Sequence, residues 1–489
     1  MSSWRASRCT FQSSASCKNG ELEMINRRHV LGAIGGGSLA ALAPIPVLAA
    51  ATPRVIVVGG GMAGVAAAKY IRLWSGKTIA VTLITPDTGY VSNIMSNLVI
   101  TGQLAYSKLQ FAYTKLASNH GVTVVKGTVT DVSGYGSALT GTVKLSSGAS
   151  YTSERLVLAP GISMDEVPVT RGVDGQTAPV LHAWQAGAQT TALQTLLAGM
   201  PANASARFVL TIPGKPYRCP PGPYERACVI ADYLYRNKPG AKIYVLDENP
   251  DITAEPENFR KAFANYYQKG VLEYWPSTKV NSVTAPSGAP AVVGKQQTVS
   301  FTTTDVANTI GANSVRSGEL YGDVMNIIPP HRAPEVARLA GVVPAGARFA
   351  PVSVLTFESM VAGRQKIHVI GDASDTSLPK AGHVANQEAK ICANAIINLF
   401  KGLAVEPMPT ANSACFSPIN STQASWLTAV YQYRLRDANG AELPENKRFV
   451  TWDGVSQTYA SAIEASAPST GNFSKMTGWY NVLMGETFT

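Results

Sequence analysis

The sequence predicts an α/β chain with two doubly wound, dinucleotide-type units and a small C-terminal domain. Three observations predict it. A β-branched run, Arg54-Val55-Ile56-Val57-Val58, meets a GxGxxG turn and then a helical stretch. A second strand–turn–helix–strand unit runs from Ala206 to Asp247. Long after the first unit has been left, a strand from Lys366 to Ile370 ends in Gly371-Asp372. At 489 residues the chain has room for more than one core. Its 45% hydrophobic and 15% charged content is that of a folded chain, not a disordered one.

The first 50 residues stand apart. Asn26-Arg27-Arg28-His29-Val30-Leu31-Gly32 is a twin-arginine pattern ahead of a small-residue apolar stretch. Pro44 and Pro46 interrupt that stretch, and Leu48-Ala49-Ala50-Ala51 offers a cleavage site. This reads as a signal for twin-arginine export to the periplasm. An uncleaved anchor is the other reading, but the apolar run falls short of the roughly 20 residues that span a bilayer. No other transmembrane candidate is present. Met24, just ahead of the pattern, is an alternative start. The net charge is +10, of which +3 falls in the first 50 residues, leaving +7. That excess favours an acidic partner or a membrane surface. No basic run is dense enough to argue for nucleic acid.

In the first unit, Gly59 allows the tight turn and Gly61 lets the backbone approach a pyrophosphate. Gly64 lets helix and strand pack closely, and the helix N-terminus faces the phosphates. The second strand, Ile79 to Ile84, ends at Thr85 with Asp87 beyond it, where an acid would hold the ribose hydroxyls. Two further pieces point to FAD. Leu156 to Gly161 is a strand ending in a small-residue turn, so Ala159 and Gly161 pass the adenine half. Gly371 and Asp372 end the later strand, where an Asp hydrogen-bonds the ribityl chain.

The second unit has a strand at Ala206–Thr211, a helix at Tyr224–Asn237 and a strand at Lys242–Asp247. Its turn is KPYRCPPGPYERA, with Gly214 and Gly222 out of fingerprint spacing. Pro220, Pro221 and Pro223 lack the amide donors a pyrophosphate needs. The expectation is a domain that has lost NAD.

Six cysteines are present, two of them, Cys9 and Cys17, ahead of the export signal. With no CxxC and no zinc spacing no metal is implied, and with no CxxCH the chain carries no c-type haem of its own. Cys219 precedes a helix, beside Arg218 and after Lys215. Cations and a helix N-terminus lower a thiol pKa, and Glu225 on the first helical turn offers a proton acceptor. The same cysteine also reads as a small residue packed in a Pro-rich turn.

Taken together, PYRCPPGPYERA (Pro216 to Ala227), VVGGGMAG, VLAPGI (Val157 to Ile162), HAWQAGAQT (His182 to Thr190), NIIPPHRA (Asn326 to Ala333), VIGDAS with PKAGHVANQ (Val369 to Gln387) and the terminal WYNVLMGETFT resemble the flavoprotein subunit of flavocytochrome c sulfide dehydrogenase. The resemblance runs from Pro53 to the C-terminus. It implies a glutathione-reductase-like pair of Rossmann-like domains. Residues 51–165 and 323–400 would form a split FAD-binding domain, 166–322 the second, NAD-type domain, and 401–489 the C-terminal domain, after the 1–50 signal region. It implies periplasmic sulfide oxidation with electrons passing through FAD to a c-type cytochrome subunit. The first redox cysteine of the family matches Cys219 and a nearby glutamate matches Glu225. An aromatic near the flavin matches Trp479, which also reads as a buried C-terminal anchor. Lys380, in PKAGHVANQ, is placed at the cofactor.

Two positions depart from the family. Ala350 stands where the second redox cysteine is expected, and Asn93 where a cysteine holds FAD covalently. FAD is therefore expected to bind non-covalently. Cys228 is about 13 Å along the helix by its rise per residue, Cys392 lies on an apolar helix, and Cys415 falls in a Ser/Pro-rich loop, so none replaces the missing thiol. Two other readings stay open: an FAD oxidoreductase for another thiol or small reductant, and a non-catalytic FAD-binding accessory protein.

Overall fold

The computed structural model describes residues 52–171, 180–286, 292–305, 310 and 317–489. The twin-arginine segment, its cleavage site, Cys9 and Cys17 lie outside the described residues.

The β-branched run at Arg54–Val58 forms the centre of a five-stranded, all-parallel sheet. Its neighbours are Arg155–Leu158 on one side and Ala80–Thr85 on the other, with Ile367–Val369 and Thr123–Lys126 at the edges. Val55 to Val58 are all buried, as both faces of a parallel sheet must be when helices cover them. The helix Met62–Trp74 covers one face, and its run Ala66-Ala67-Ala68 is fully buried. These methyl side chains allow it to pack closely against the helix Gly382–Lys401. The C-terminal helix Thr470–Phe488 lies against the helix Met62–Trp74. Its Phe488 stacks on Tyr90 at 5.0 Å and on Phe111 at 5.3 Å.

The second sheet has seven strands. Ser317–Ile327, Arg207–Ile212, Lys242–Asp247 and Leu272–Trp275 run parallel in that order. Lys295–Thr303 continues it antiparallel beside Ser317–Ile327, Thr278–Thr284 pairs antiparallel with Lys295–Thr303, and Val169–Arg171 closes that edge. The strand Ser317–Ile327 crosses position 323, the expected return point. It pairs Val324 with Phe208 and Ile327 with Thr211, so the chain leaves this sheet only after Ile327. A three-stranded antiparallel meander, Val129–Ser133, Gly141–Leu145 and Ser150–Ser153, is an element the sequence reading did not foresee.

Beyond Lys401, Thr410–Pro418 and Ala424–Tyr433 form a long antiparallel hairpin within a five-stranded sheet. Cys415 therefore sits on a strand, opposite Leu427, and not in the expected loop. The hairpin docks on the second unit by polar contacts. Ser417 Oγ donates to Glu255 Oε1 at 2.6 Å, and Tyr266 Oη donates to the Ile419 carbonyl at 3.0 Å. Among the described residues, no helix is long and apolar enough to cross a membrane.

Candidate active site

The sheet geometry opens one cleft, a cavity of about 790 Å³. Its walls include Gly59 to Ala63, Thr85 to Asp87, Asn93, Asn97, Ala159 to Ile162, Cys219, Glu225, Gly371-Asp372, Cys415 and Trp479. The expected cofactor residues therefore line one space, except Gly64, which packs behind the turn, and Lys380.

At the glycine turn, the Gly59 amide donates to the Ile84 carbonyl at 2.9 Å with φ +114°. A Cβ at Gly64 would fall 1.9 Å from the Gly59 carbonyl oxygen, so no larger residue fits between strand and helix. The N-terminus of the helix Met62–Trp74 opens on the cavity. Thr85 stands at the end of its strand, its Oγ1 accepting from the Asp87 amide at 3.3 Å. Asp372 is the clearest sign of a ligand. Its Oδ1 is buried without a partner, and burial raises its pKa against the pull of Arg218 and Lys380. A buried carboxylate oxygen without a donor is costly unless a hydroxyl or amide of a bound group supplies one.

The proline-rich turn carries Cys219 in the left-handed region at φ +58°. Its backbone is held from three sides. The Cys219 amide donates to the Lys380 carbonyl at 2.6 Å, and the Arg218 amide to His331 Nδ1 at 2.8 Å. Trp184 Nε1 donates to the Arg218 carbonyl at 3.2 Å. Upstream, the Gly214 amide donates to Glu248 Oε2 and the Lys215 amide to Asn249 Oδ1. The Gly222 amide closes back on the Cys219 carbonyl at 2.9 Å. Where a pyrophosphate would need free amides, those of Gly214, Lys215, Arg218, Cys219 and Gly222 are committed, and Pro216, Pro220, Pro221 and Pro223 have none.

Burial corrects the expected low pKa of Cys219. The side chain faces the cavity yet is enclosed by protein, and burial, reinforced by Glu225, pushes its thiol up to about 12. Arg218 pulls the other way but is outweighed. Glu225 is also buried, and its carboxyl rises to about 8, with burial the largest cause and Asn97, which donates to it, the main opposition. At pH 7 both groups hold their protons in this environment. The proton acceptor expected at Glu225 becomes available as pH rises through about 8.

Trp479 is half-buried on the cavity wall, its ring 5.5 Å from Phe416 and 6.1 Å from His383. Asn93 Oδ1 accepts from the Ala186 amide at 2.6 Å. Lys380 Nζ donates to the Ser374 carbonyl at 2.6 Å and sits 3.8 Å over the Phe349 ring, while its own carbonyl holds Cys219. Lys380 thus acts on the site through its backbone.

Ala350 is fully buried and pairs with Ser374 in a short parallel bridge. Cys228 and Cys392 are also fully buried, and the four described cysteines are free. Among the residues of the cavity wall that sequence reasoning missed are Cys415 and Asn97. The short apolar run Ala414-Cys415-Phe416 gave no clear strand signal for Cys415. Asn97 had none, because its partners lie 128 and 129 positions away. No group of three or more His, Cys, Asp or Glu is gathered as for a metal among the described residues.

Known proteins fit this geometry. The model for the central region of the sulfide dehydrogenase (flavocytochrome c) flavoprotein chain matches residues 190–329. A pyridine nucleotide-disulphide oxidoreductase model matches residues 53–200. The sulfide dehydrogenase flavoprotein chain of Chlorobaculum thiosulfatiphilum is 48% identical over 48 residues, which are 10% of this chain and 98% of that relative. The chain belongs to the flavoprotein family of flavocytochrome c sulfide dehydrogenase. Solved structures of similar fold include the sulfide:quinone oxidoreductase of Aquifex aeolicus, with a TM-score of 0.64 at 15% identity over 89% of this chain and 91% of that one. The NAD-dependent persulfide reductase of A. fulgidus has a TM-score of 0.53 at 15% identity, covering 89% of this chain and 77% of that one. Both likenesses show the two-unit α/β fold. As a member of the flavoprotein family the chain is an FAD-dependent oxidoreductase, and the glycine turn, the unpartnered Asp372 oxygen and the cavity size fit FAD.

The burial of Cys219 has a measurable consequence. In protein stripped of flavin, labelling of Cys219 by a thiol reagent should be slow at pH 7 and climb steadily past pH 9. A rate that levels off below pH 7 would show a stabilised thiolate and contradict this electrostatic picture.

Proposed function

We propose that this flavoprotein oxidises sulfide or a closely related small sulfur compound in the periplasm, after twin-arginine export. Electrons pass through non-covalently bound FAD to a c-type cytochrome subunit. The observation that carries this reading is that Cys219 and Glu225 open on the same cavity as the glycine turn and the unpartnered Asp372. FAD, when bound there, accepts an electron pair and releases it one electron at a time.

The residues divide the work. Lys380, His331 and Trp184 fix the Cys219 turn through its backbone, so the thiol is presented in one place. Sulfide and the Cys219 thiol join by an S–S bond. Forming that bond removes two electrons and two protons, and the electrons are those that bound FAD would take. Glu225 in its ionised form accepts one of the protons, and its elevated pKa makes it a base matched to near-neutral pH. Gly59, Gly61, Gly64 and the helix N-terminus would hold the pyrophosphate, and Thr85 and Asp372 would take the ribose and ribityl hydroxyls. Ala159 and Gly161 would flank the adenine half, Gly371 would lead into the ribityl contact, and Trp479 would stand near the flavin. Asn93 offers an amide where a thioether would need sulfur. The +7 balance steers an acidic cytochrome to the exported chain.

Ala350 favours a second reading with the same machinery, in which an organic thiol is the reductant. With alanine there, the family's disulfide has no second sulfur at that position, and Cys219 works alone.

Anaerobic titration separates these. Sulfide should bleach the flavin, while NADH should leave it oxidised, because prolines and committed amides occupy the second turn where a pyrophosphate would bind. Cys219→Ser should abolish the bleaching, and Glu225→Gln should slow it by about 10²-fold. Bleaching by organic thiols alone selects the second reading, and a Cys219→Ser protein as fast as wild type overturns both. Acid precipitation of the same protein should leave all yellow colour in the supernatant, and colour retained in the washed pellet would contradict non-covalent binding.

A further inference from the structure

Asn97 makes hydrogen bonds in two directions. Its Nδ2 donates to Glu225 Oε1 at 2.8 Å and to the Gly222 carbonyl at 3.2 Å. Its Oδ1 accepts from Arg226 Nε at 2.8 Å. Asn97 lies on the short helix Ser96–Ile100 and is buried. Arg226, only 1% exposed, has no freedom to turn away. Its other nitrogens donate to the His182 carbonyl at 2.9 Å, the Ala183 carbonyl at 2.7 Å and Asn326 Oδ1 at 2.8 Å. Its guanidinium lies 4.7 Å from the Trp184 ring centroid.

This network dictates how the Asn97 amide is turned. A guanidinium has donors and no acceptor, so the amide oxygen must face Arg226. The NH₂ must then face Glu225. A donor aimed at a carboxyl group favours its ionised form.

We propose that Asn97 is the positioning residue that sets the pH at which Glu225 releases its proton, and that Arg226 locks the amide in the orientation that does so. Several other groups face Glu225. Arg226 lies beside it on the same helix, and Glu255 acts from the head of the helix Pro256–Gln268. Cys219 in the turn, Cys228 on the same helix and Cys415 on the strand Thr410–Pro418 all feel its charge. Asn97 bonds it directly. Without that bond, burial and Glu255 act on Glu225 with only Arg226 opposed.

The inference deepens the proposed role of Glu225, but its test needs no substrate. Infrared titration of the oxidised holoprotein follows the band of the protonated carboxyl group, which Glu225→Gln identifies by removing it. Asn97→Ala removes the donor and should raise the midpoint by on the order of one pH unit. Asn97→Asp keeps an acceptor for Arg226 but turns a second carboxylate toward Glu225, and should raise the midpoint as well. If Asn97→Ala fails to fold, Asn97→Asp decides. The pH limb of flavin reduction by sulfide should move with the infrared midpoint. Unchanged midpoints in folded variants would overturn the proposal, whatever the protein's reactivity with sulfide.

Discussion

The bond from the Cys219 amide to the Lys380 carbonyl, at 2.6 Å, is the contact on which the site depends. Cys219 belongs to the turn after Arg207–Ile212 in the second sheet. Lys380 leads into the helix Gly382–Lys401, which packs against the glycine-turn helix of the first. One hydrogen bond thus places a thiol from the second unit on the wall of the first unit's cavity. The prolines around it have a matching role. They remove donors that would compete for a phosphate and fix the turn that presents the sulfur. A turn built elsewhere to grip a dinucleotide is built here to hold a cysteine.

Burial, more than nearby charge, governs the chemistry of that wall. Arg218 is adjacent in sequence to Cys219, yet the thiol is pushed up, because desolvation and the Glu225 carboxyl outweigh the cation. A rise from 9.0 to about 12 corresponds to about 4 kcal/mol in favour of the protonated form. The same effect raises Glu225 and Asp372 on that wall, and Glu255 behind it. Cys219 and Glu225 therefore hold their protons near neutral pH, and Glu225 becomes able to accept one as pH rises through about 8.

Much of this was legible in the sequence, for physical reasons. Val55 to Val58 followed by Gly59, Gly61 and Gly64 is local information, and turn, strand and helix follow from neighbouring residues. The strand Lys242–Asp247 was readable to the residue for the same reason. What was not legible came from long-range packing. The strand Ser317–Ile327 joins the second sheet by pairing with residues more than a hundred positions earlier. Cys415 lies on a strand because Ala424–Tyr433 pairs with it, although its neighbours Ser413 and Ser417 and nearby Pro418 suggest a loop. The Cys219 pKa was misjudged because cationic neighbours are visible in sequence and enclosure is not. Asn97 became visible only once Glu225 and Arg226 were brought against it.

The central claim is that Cys219 takes up sulfur as a single thiol, without a disulfide partner at Ala350. Peptide mass spectrometry of the holoprotein, treated anaerobically with sulfide and then alkylated, tests it most directly. The account predicts a free Cys219 thiol before treatment and one added sulfur atom on Cys219 after it. A Cys219 that stays unmodified while the flavin is reduced, or that is already joined to another cysteine before sulfide is added, would contradict it.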